Sequence, residues 1–133
     1  MMKRNGILHP QLNKLIAETG HMERLVVTDA GLPIPEEVNT RVDLALKEGM
    51  VPFLELLDTV LDEFSVEKVI MAEEIKEKSP EMEQEILKRF QTIEVEYIPH
   101  VEFKEETKLT RGLIRSGEFT PYANVILVGG VVY

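Results

Sequence analysis

Residues 52–72 read PFLELLDTVLDEFSVEKVIMA, and this stretch decides the fold class. Its first part carries apolar residues at helical spacing with acidic residues between them, which predicts an amphipathic helix. The uninterrupted apolar run at 69–72 has the length and composition of a buried strand. A helix that leads into a fully apolar strand is typical of an α/β protein.

The same alternation extends outward in both directions. Helices are predicted over 10–19, from Ser79 onward and over 101–109, and strands near 25–27, 42–46, 93–97, 113–114 and 125–128. A chain of 133 residues fits one domain. We therefore predict one α/β domain over 1–133, with a three-layer α/β/α architecture and a mostly parallel or mixed central sheet.

Composition narrows the class of function. The chain has no cysteine, which excludes a disulfide framework, thiolate metal sites and a cysteine nucleophile. Its net charge of -9 repels phosphate backbones and disfavours nucleic-acid binding. No run approaches the roughly 18 apolar residues of a membrane span, and no apolar signal-peptide core follows the N-terminus. We expect a cytoplasmic protein that binds neither nucleic acid nor membrane.

The three histidines are the first candidates for proton chemistry. His9 precedes a proline at a helix start, and a surface or capping role accounts for it. His21 follows the helix stop Gly20, and His100 follows a proline at the end of a strand. These two lie on turns at the ends of elements, where α/β proteins build sites, although a structural role is equally open for each.

Two loops add polar groups that suit a ligand. Asp29 follows an apolar strand and begins a loop rich in glycine and proline, where an acid is well placed for a ligand hydroxyl. The loop 120–124 offers the phenol of Tyr122 and the amide of Asn124 just before a strand, and this mixture suits a neutral polyol. A turn cap at Asp29 and a core-packing Tyr122 are the structural alternatives.

Other motifs contribute less. The acidic pair Glu73-Glu74 is interpreted as a solvated strand end rather than a metal site. The chain has no His-Glu-x-x-His motif, no glycine-rich phosphate loop and no Ser-His-Asp signature.

Four blocks of the sequence resemble the ribose pyranase and fucose mutarotase superfamily, in the same order. They are GILHPQLNKLIAETGHMERLVVTDAGLPIP (6–35), VIMAEEIKE (69–77), IPHVEFK (98–104) and IRSGEFTPYANVILVGGVVY (114–133). Together they cover essentially the whole chain. Gly31, Leu32 and Pro33 favour the ribose branch, because the L-fucose mutarotases carry an Asp-Ala-Asn-Phe-Pro run instead.

This resemblance implies a role for each candidate residue. His21 matches the proton donor, and the substrate-binding positions are Asp29, His100, Tyr122, Ala123 and Asn124. Lys104 lies one helical turn past His100 and is a further candidate for contact with the sugar. The implied activity is a metal- and cofactor-independent isomerase that opens and recloses the ring of D-ribose. Histidine suits this work because its pKa of about 6.5 lets it exchange protons near neutrality.

The resemblance also implies a large symmetric homo-oligomer, a decamer of paired pentameric rings. The sequence adds a geometric condition, since the loop 120–124 precedes its strand whereas Asp29 and His100 follow theirs. These groups meet within one chain only if the last strand runs antiparallel; otherwise the loop must reach a neighbour's pocket. Candidates for the subunit contact are Leu32, Ile34 and Phe119.

Three alternatives stay open. The chain could be a mutarotase for another monosaccharide such as L-fucose, or a non-catalytic sugar-binding partner of ribose uptake. It could also be an α/β scaffold with no small-molecule site. A protein that only binds sugar would keep its affinity after loss of His21, which separates binding from catalysis.

Overall fold

The computed structural model describes residues 2–133 and confirms the predicted alternation of helices and strands. The helices are α1 (Pro10–Glu18), α2 (Phe53–Leu61), α3 (Ile75–Lys78), α4 (Pro80–Lys88) and α5 (His100–Thr107). The strands are β1 (Arg24–Thr28), β2 (Thr40–Asp43), β3 (Val66–Ala72), β4 (Glu94–Ile98), β5 (Gly112–Arg115) and β6 (Val125–Gly129). The short helix α3 is an addition that the sequence pattern did not predict.

The six strands form one mixed sheet in the order β2-β5-β1-β6-β3-β4. β6 runs antiparallel to both of its neighbours, and every other pair is parallel. The carboxyl ends of five strands and the amino end of β6 therefore lie along one edge of the sheet, which we call the carboxyl edge. The condition set by the sequence is met, because the loop before β6 reaches the same edge as Asp29 and His100.

Helices or loops cover both faces of the sheet, as the three-layer prediction requires. Along β1, Leu25 and Val27 pack toward α1 and α2, while Val26 packs toward the opposite face with Phe103 of α5. The central strands are apolar at successive positions because both of their faces are buried.

The second face also takes in a residue that we expected elsewhere. Leu32, a candidate for the subunit contact, is only 5% exposed and packs beside Val38 in the apolar cluster on the α5 face of the sheet. That expectation was wrong, because the loop after β1 folds its leucine inward to cover the sheet. Phe119, by contrast, is 63% exposed.

The first histidine has the structural role expected of it. His9 is the N-cap of α1, and its Nδ1 accepts a hydrogen bond from the N–H of Leu12 at 3.2 Å. This bond satisfies one of the amide donors that a helix start leaves unpaired.

Within residues 2–133, no helix is both long enough and apolar enough to cross a bilayer.

Candidate active site

A cavity of about 250 Å³ opens at the carboxyl edge of the sheet. It brings together residues from the loop after β1, the start of α5 and the loop before β6. Its lining residues are Asp29, Gly31, Leu32, Pro33, His100, Lys104, Pro121, Tyr122 and Asn124. Four of the six predicted site residues thus meet in one chain, and Lys104 lies with them.

Asp29 and Asn124 are joined directly at the floor of this cavity. The N–H of Asp29 donates to Oδ1 of Asn124 at 2.9 Å, and Nδ2 of Asn124 donates to Oδ2 of Asp29 at 3.2 Å. Asn124 is only 1% exposed, so its side chain is held rather than free in solvent. The two bonds fix both the backbone and the carboxylate of Asp29.

The Asp29 carboxylate is also bound from its own loop. Its Oδ1 accepts hydrogen bonds from the N–H of Gly31 at 3.0 Å and of Leu32 at 2.9 Å. Burial raises the pKa of Asp29 above its ordinary value of 3.8, although these hydrogen bonds and the one from Asn124 act in the opposite direction. An ionised carboxylate has about four acceptor positions, so one remains for a ligand hydroxyl. Asp29 can therefore cap its own turn and still accept a hydrogen bond from a ligand.

His100 is the first residue of α5, and its ring lies between two aromatic side chains. The ring lies parallel to Phe103 with centroids 6.4 Å apart, and edge-on to Tyr122 at 5.0 Å. Its Nδ1 is buried and has no hydrogen-bond partner within residues 2–133. Burial and the positive charge of Lys104 lower the pKa of His100 below 6.5, which favours the neutral ring at neutral pH. A neutral imidazole both donates and accepts hydrogen bonds, which suits a hydroxyl ligand.

The loop before β6 holds Tyr122 in an unusual conformation. Its φ is +63°, in the left-handed region that costs a non-glycine residue about 1–3 kcal/mol. The loop is anchored by Ser79, whose hydroxyl donates to the carbonyl of Pro121 at 2.7 Å. The backbone bond from the N–H of Asn124 to the carbonyl of Tyr122, at 2.9 Å, closes the turn. Together these contacts keep the Tyr122 ring against His100.

Ala123 is placed differently from its neighbours. Its side chain is fully buried in the apolar cluster between the sheet and the helices α1 and α2, and it is absent from the cavity wall. Any contact of Ala123 with a ligand would therefore use its backbone.

His21 lies at the opposite edge of the sheet from the cavity. It precedes β1 whereas Asp29 follows it, and five strand residues at about 3.3 Å each separate the two by roughly 17 Å. Its side chain is 49% exposed, and its Nε2 lies 3.1 Å from Oε2 of Glu67. The next residue, Met22, is exposed and has a φ of +68°. Within one chain the structure does not bring His21 to the other predicted residues.

Several residues near the cavity were not singled out from the sequence. Arg115 and Glu118 line an adjoining hollow of about 420 Å³ that shares Asp29 with the first cavity. Glu74, interpreted above as part of a solvated strand end, is half-buried and accepts the backbone N–H of His100. The rule that identified Asp29, an acid at the carboxyl end of a buried strand, applies equally to Glu74.

A small cavity with a buried carboxylate, an amide, a phenol and an imidazole, at the carboxyl edge of an α/β sheet, defines a class of protein that binds a small polar ligand. Among residues 2–133, no group of three or more His, Asp or Glu side chains is placed to hold a metal ion. The chain belongs to the RbsD / FucU transport protein family, whose sequence profile matches residues 2–132.

Known relatives share almost the full length of the chain. It is 48% identical over 130 residues to the D-ribose pyranase of Geobacillus thermodenitrificans, covering 98% of each protein. It is 44% identical over 136 residues to the D-ribose pyranase of Thermotoga maritima, covering 99% of this chain and 100% of the relative. These identities agree with the ribose branch that Gly31, Leu32 and Pro33 favoured.

Solved structures agree with the fold. Bacillus subtilis RbsD, solved in complex with D-ribose, superposes with a TM-score of 0.95 and 45% identity, covering 99% of this chain and 100% of that one. The fucose mutarotase of Streptococcus pneumoniae, solved with L-fucose, has a TM-score of 0.81 and 24% identity, covering 95% of each chain. The second likeness is one of fold alone.

Proposed function

We propose that this protein is a D-ribose pyranase, an isomerase that interconverts the pyranose and furanose forms of D-ribose by acid–base ring opening and reclosure. The observation that carries the proposal is the cavity in which Asp29, Asn124, His100 and Tyr122 converge. Full-length relatives named D-ribose pyranase support the same substrate. The whole chain, residues 1–133, acts as one sugar-ring isomerase domain.

Ring opening is a balanced proton transfer. A base takes the proton from the anomeric hydroxyl, the bond between the anomeric carbon and the ring oxygen breaks, and an acid protonates that oxygen. The open aldehyde then rotates, a different hydroxyl attacks the carbonyl carbon, and both protons return. No electrons leave the sugar, so the reaction as written needs neither a redox cofactor nor a metal.

Asp29 is suited to act as the base. Its raised pKa makes its carboxylate a stronger base than a solvated one, and the bonds from Asn124 and from the loop fix its direction. Asn124 keeps a second amide hydrogen for a sugar hydroxyl, because only one is used on Asp29. His100 and Tyr122 then bind the remaining hydroxyls, and the exposed Lys104 stands at the rim.

His21 acts as the proton donor from a neighbouring subunit. Its distance from Asp29 within one chain rules out a shared sugar there, whereas a second copy can bring its His21 edge to the open cavity. Exposed apolar side chains at both edges support this contact. Met22 lies beside His21, Phe119 lines the hollow that adjoins the cavity, and Leu46 lines a further hollow together with Phe119. A contact between unlike edges is heterologous, and repeating it generates a closed ring where the rotation between successive copies closes.

From the family resemblance we propose that the assembly is a ring-like homo-oligomer, a decamer of paired pentameric rings, and we propose a cytoplasmic location. Each site is completed by the next subunit of its ring. Phe119 remains a candidate for the subunit contact, and the half-buried Ile34 is a weaker one.

Saturation-transfer NMR of D-ribose tests the activity directly. Saturation of a ribopyranose anomeric signal should pass to the furanose signals faster with the protein than without it, both before and after treatment with a chelator. L-fucose serves as the comparison sugar, since a fucose mutarotase would accelerate its anomer exchange instead. Binding of ribose without faster exchange would identify a non-catalytic sugar binder and refute the proposal.

A further inference from the structure

Glu74 lies at the carboxyl end of β3 and contacts the start of α5 from outside that helix. Both of its carboxylate oxygens accept the backbone N–H of His100, at 3.0 and 3.1 Å. The N-cap of α5 is Pro99, which makes no side-chain capping bond, so Glu74 supplies the acceptor that this helix start lacks. The contact links residues 26 positions apart and fixes where His100 begins the helix.

Glu74 also balances charge around the imidazole. The charged groups that act on His100 are Lys104 from its own helix, Asp29 from the loop after β1, and Glu74 from the end of β3. Tyr122, from the loop before β6, faces the ring edge-on. Burial and Lys104 disfavour the protonated ring, and the two carboxylates favour it.

We propose that Glu74 is a positioning residue for ring opening: it holds His100 in the wall of the cavity and supplies a negative charge that opposes Lys104. The proposal rests on the function proposed above, because it assigns a role within the same site. Glu74 touches the backbone of His100 and is absent from the cavity wall, so it acts through His100 and not on the sugar.

The charge effect is tested by titrating the ring protons of His100 by NMR in the absence of sugar. The chain has three histidines, so their signals are few, and the His100→Asn spectrum assigns the relevant one. Glu74→Gln keeps an acceptor for the N–H but removes the charge. Its His100 titration midpoint should fall below that of the unchanged protein.

Glu73→Gln is the matched control. Glu73 is the adjacent residue, carries the same charge and is exposed. It should leave the His100 midpoint unchanged. Equal midpoints in the Glu74→Gln, Glu73→Gln and unchanged proteins would overturn the proposal, as would an upward displacement in Glu74→Gln.

The positional effect is tested by Glu74→Asp, which keeps the charge but shortens the side chain by one methylene. The His100 midpoint should stay near that of the unchanged protein, while kcat/KM for ribose exchange falls by up to about 10²-fold through misplacement of the ring. Unchanged kcat/KM in this variant would refute the positional part. Because the titration uses no sugar, it reports on Glu74 even if ribose exchange is not observed, so the two proposals fail separately.

Discussion

Asp29 and Asn124 are 95 residues apart in sequence and exchange two hydrogen bonds at the floor of the cavity. One bond joins the backbone N–H of Asp29 to the Asn124 amide oxygen, and the other joins the Asn124 amide nitrogen to the Asp29 carboxylate. The pairing depends on β6 lying antiparallel beside β1, which brings the start of one strand to the end of the other. The antiparallel pairing of β1 and β6 thus brings together the two residues that form the central contact of the site.

Asn124→Ala should damage both binding and turnover. The substitution removes an amide that would contact the sugar and also frees the proposed base from one of its anchors. The N–H of Asp29 would lose its buried partner, at a cost of about 1–3 kcal/mol in the free energy of unfolding. Denaturant unfolding and ribose exchange measure the two effects. Asn39→Ala, at an exposed asparagine, is the control and should change neither; full turnover in Asn124→Ala would contradict the assignment.

Ser79→Ala should loosen the loop that carries Tyr122. The Ser79 hydroxyl bonds the carbonyl of Pro121 from the start of α4, and its loss leaves a strained turn with less support. We expect KM for ribose to rise severalfold and the free energy of unfolding to fall by about 1 kcal/mol. Thr59→Ala removes an exposed hydroxyl that bonds the Glu55 carbonyl within α2, away from both edges of the proposed site, and serves as the comparison. Identical KM values for the two variants would show that the Ser79 bond does not position the loop.

Stability should depend on pH through two groups of the cavity. The pKa of His100 is lowered in the folded protein, so its contribution is present above 6.5 and is lost as the pH falls through the lowered value. The pKa of Asp29 is raised, so its contribution is present below 3.8 and is lost as the pH rises through the raised value. Denaturant unfolding between about pH 7 and pH 5 should therefore show a smaller loss for His100→Asn than for the unchanged protein. If the free energy of unfolding changed with pH equally in His100→Asn and in the unchanged protein, His100 would not contribute to the pH dependence of stability.

Much of the fold follows from the sequence because its cause is local. The apolar run 69–72 and the helical spacing over 53–64 are properties of adjacent residues, and both elements were found there. The helix α3 escaped because four residues are too few to show a helical period. The direction of β6 is set by its partners across the sheet, so the sequence could only state the condition under which Tyr122 and Asn124 meet Asp29.

The site was predicted unevenly for similar reasons. Asp29 and His100 were identified because they follow strands, and the same rule would have identified Glu74 had it been applied there. The separation of His21 from Asp29 was readable as well, since one short strand lies between them. The sequence does not encode locally that Leu32 and Ala123 point inward. Leu32 packs on the face of the sheet covered by α5, and Ala123 packs on the face covered by α1 and α2, so both directions depend on distant contacts.

A mixing experiment decides whether His21 acts from a neighbouring subunit. His21→Ala and Asp29→Asn should each lower turnover by roughly 10² or more, because each removes one proton-transfer group. If every site combines Asp29 of one copy with His21 of the next, subunits exchanged between the two variants will form some sites with both groups intact. A mixture of equal parts should regain roughly a quarter of the original activity, since that share of contacts joins the two intact halves. Light scattering must give a mass well above the 15.2 kDa of one chain, because subunits can be exchanged only in an oligomer. A mixture no more active than its components, under conditions in which subunits exchange, would place both groups in one chain or remove His21 from the mechanism.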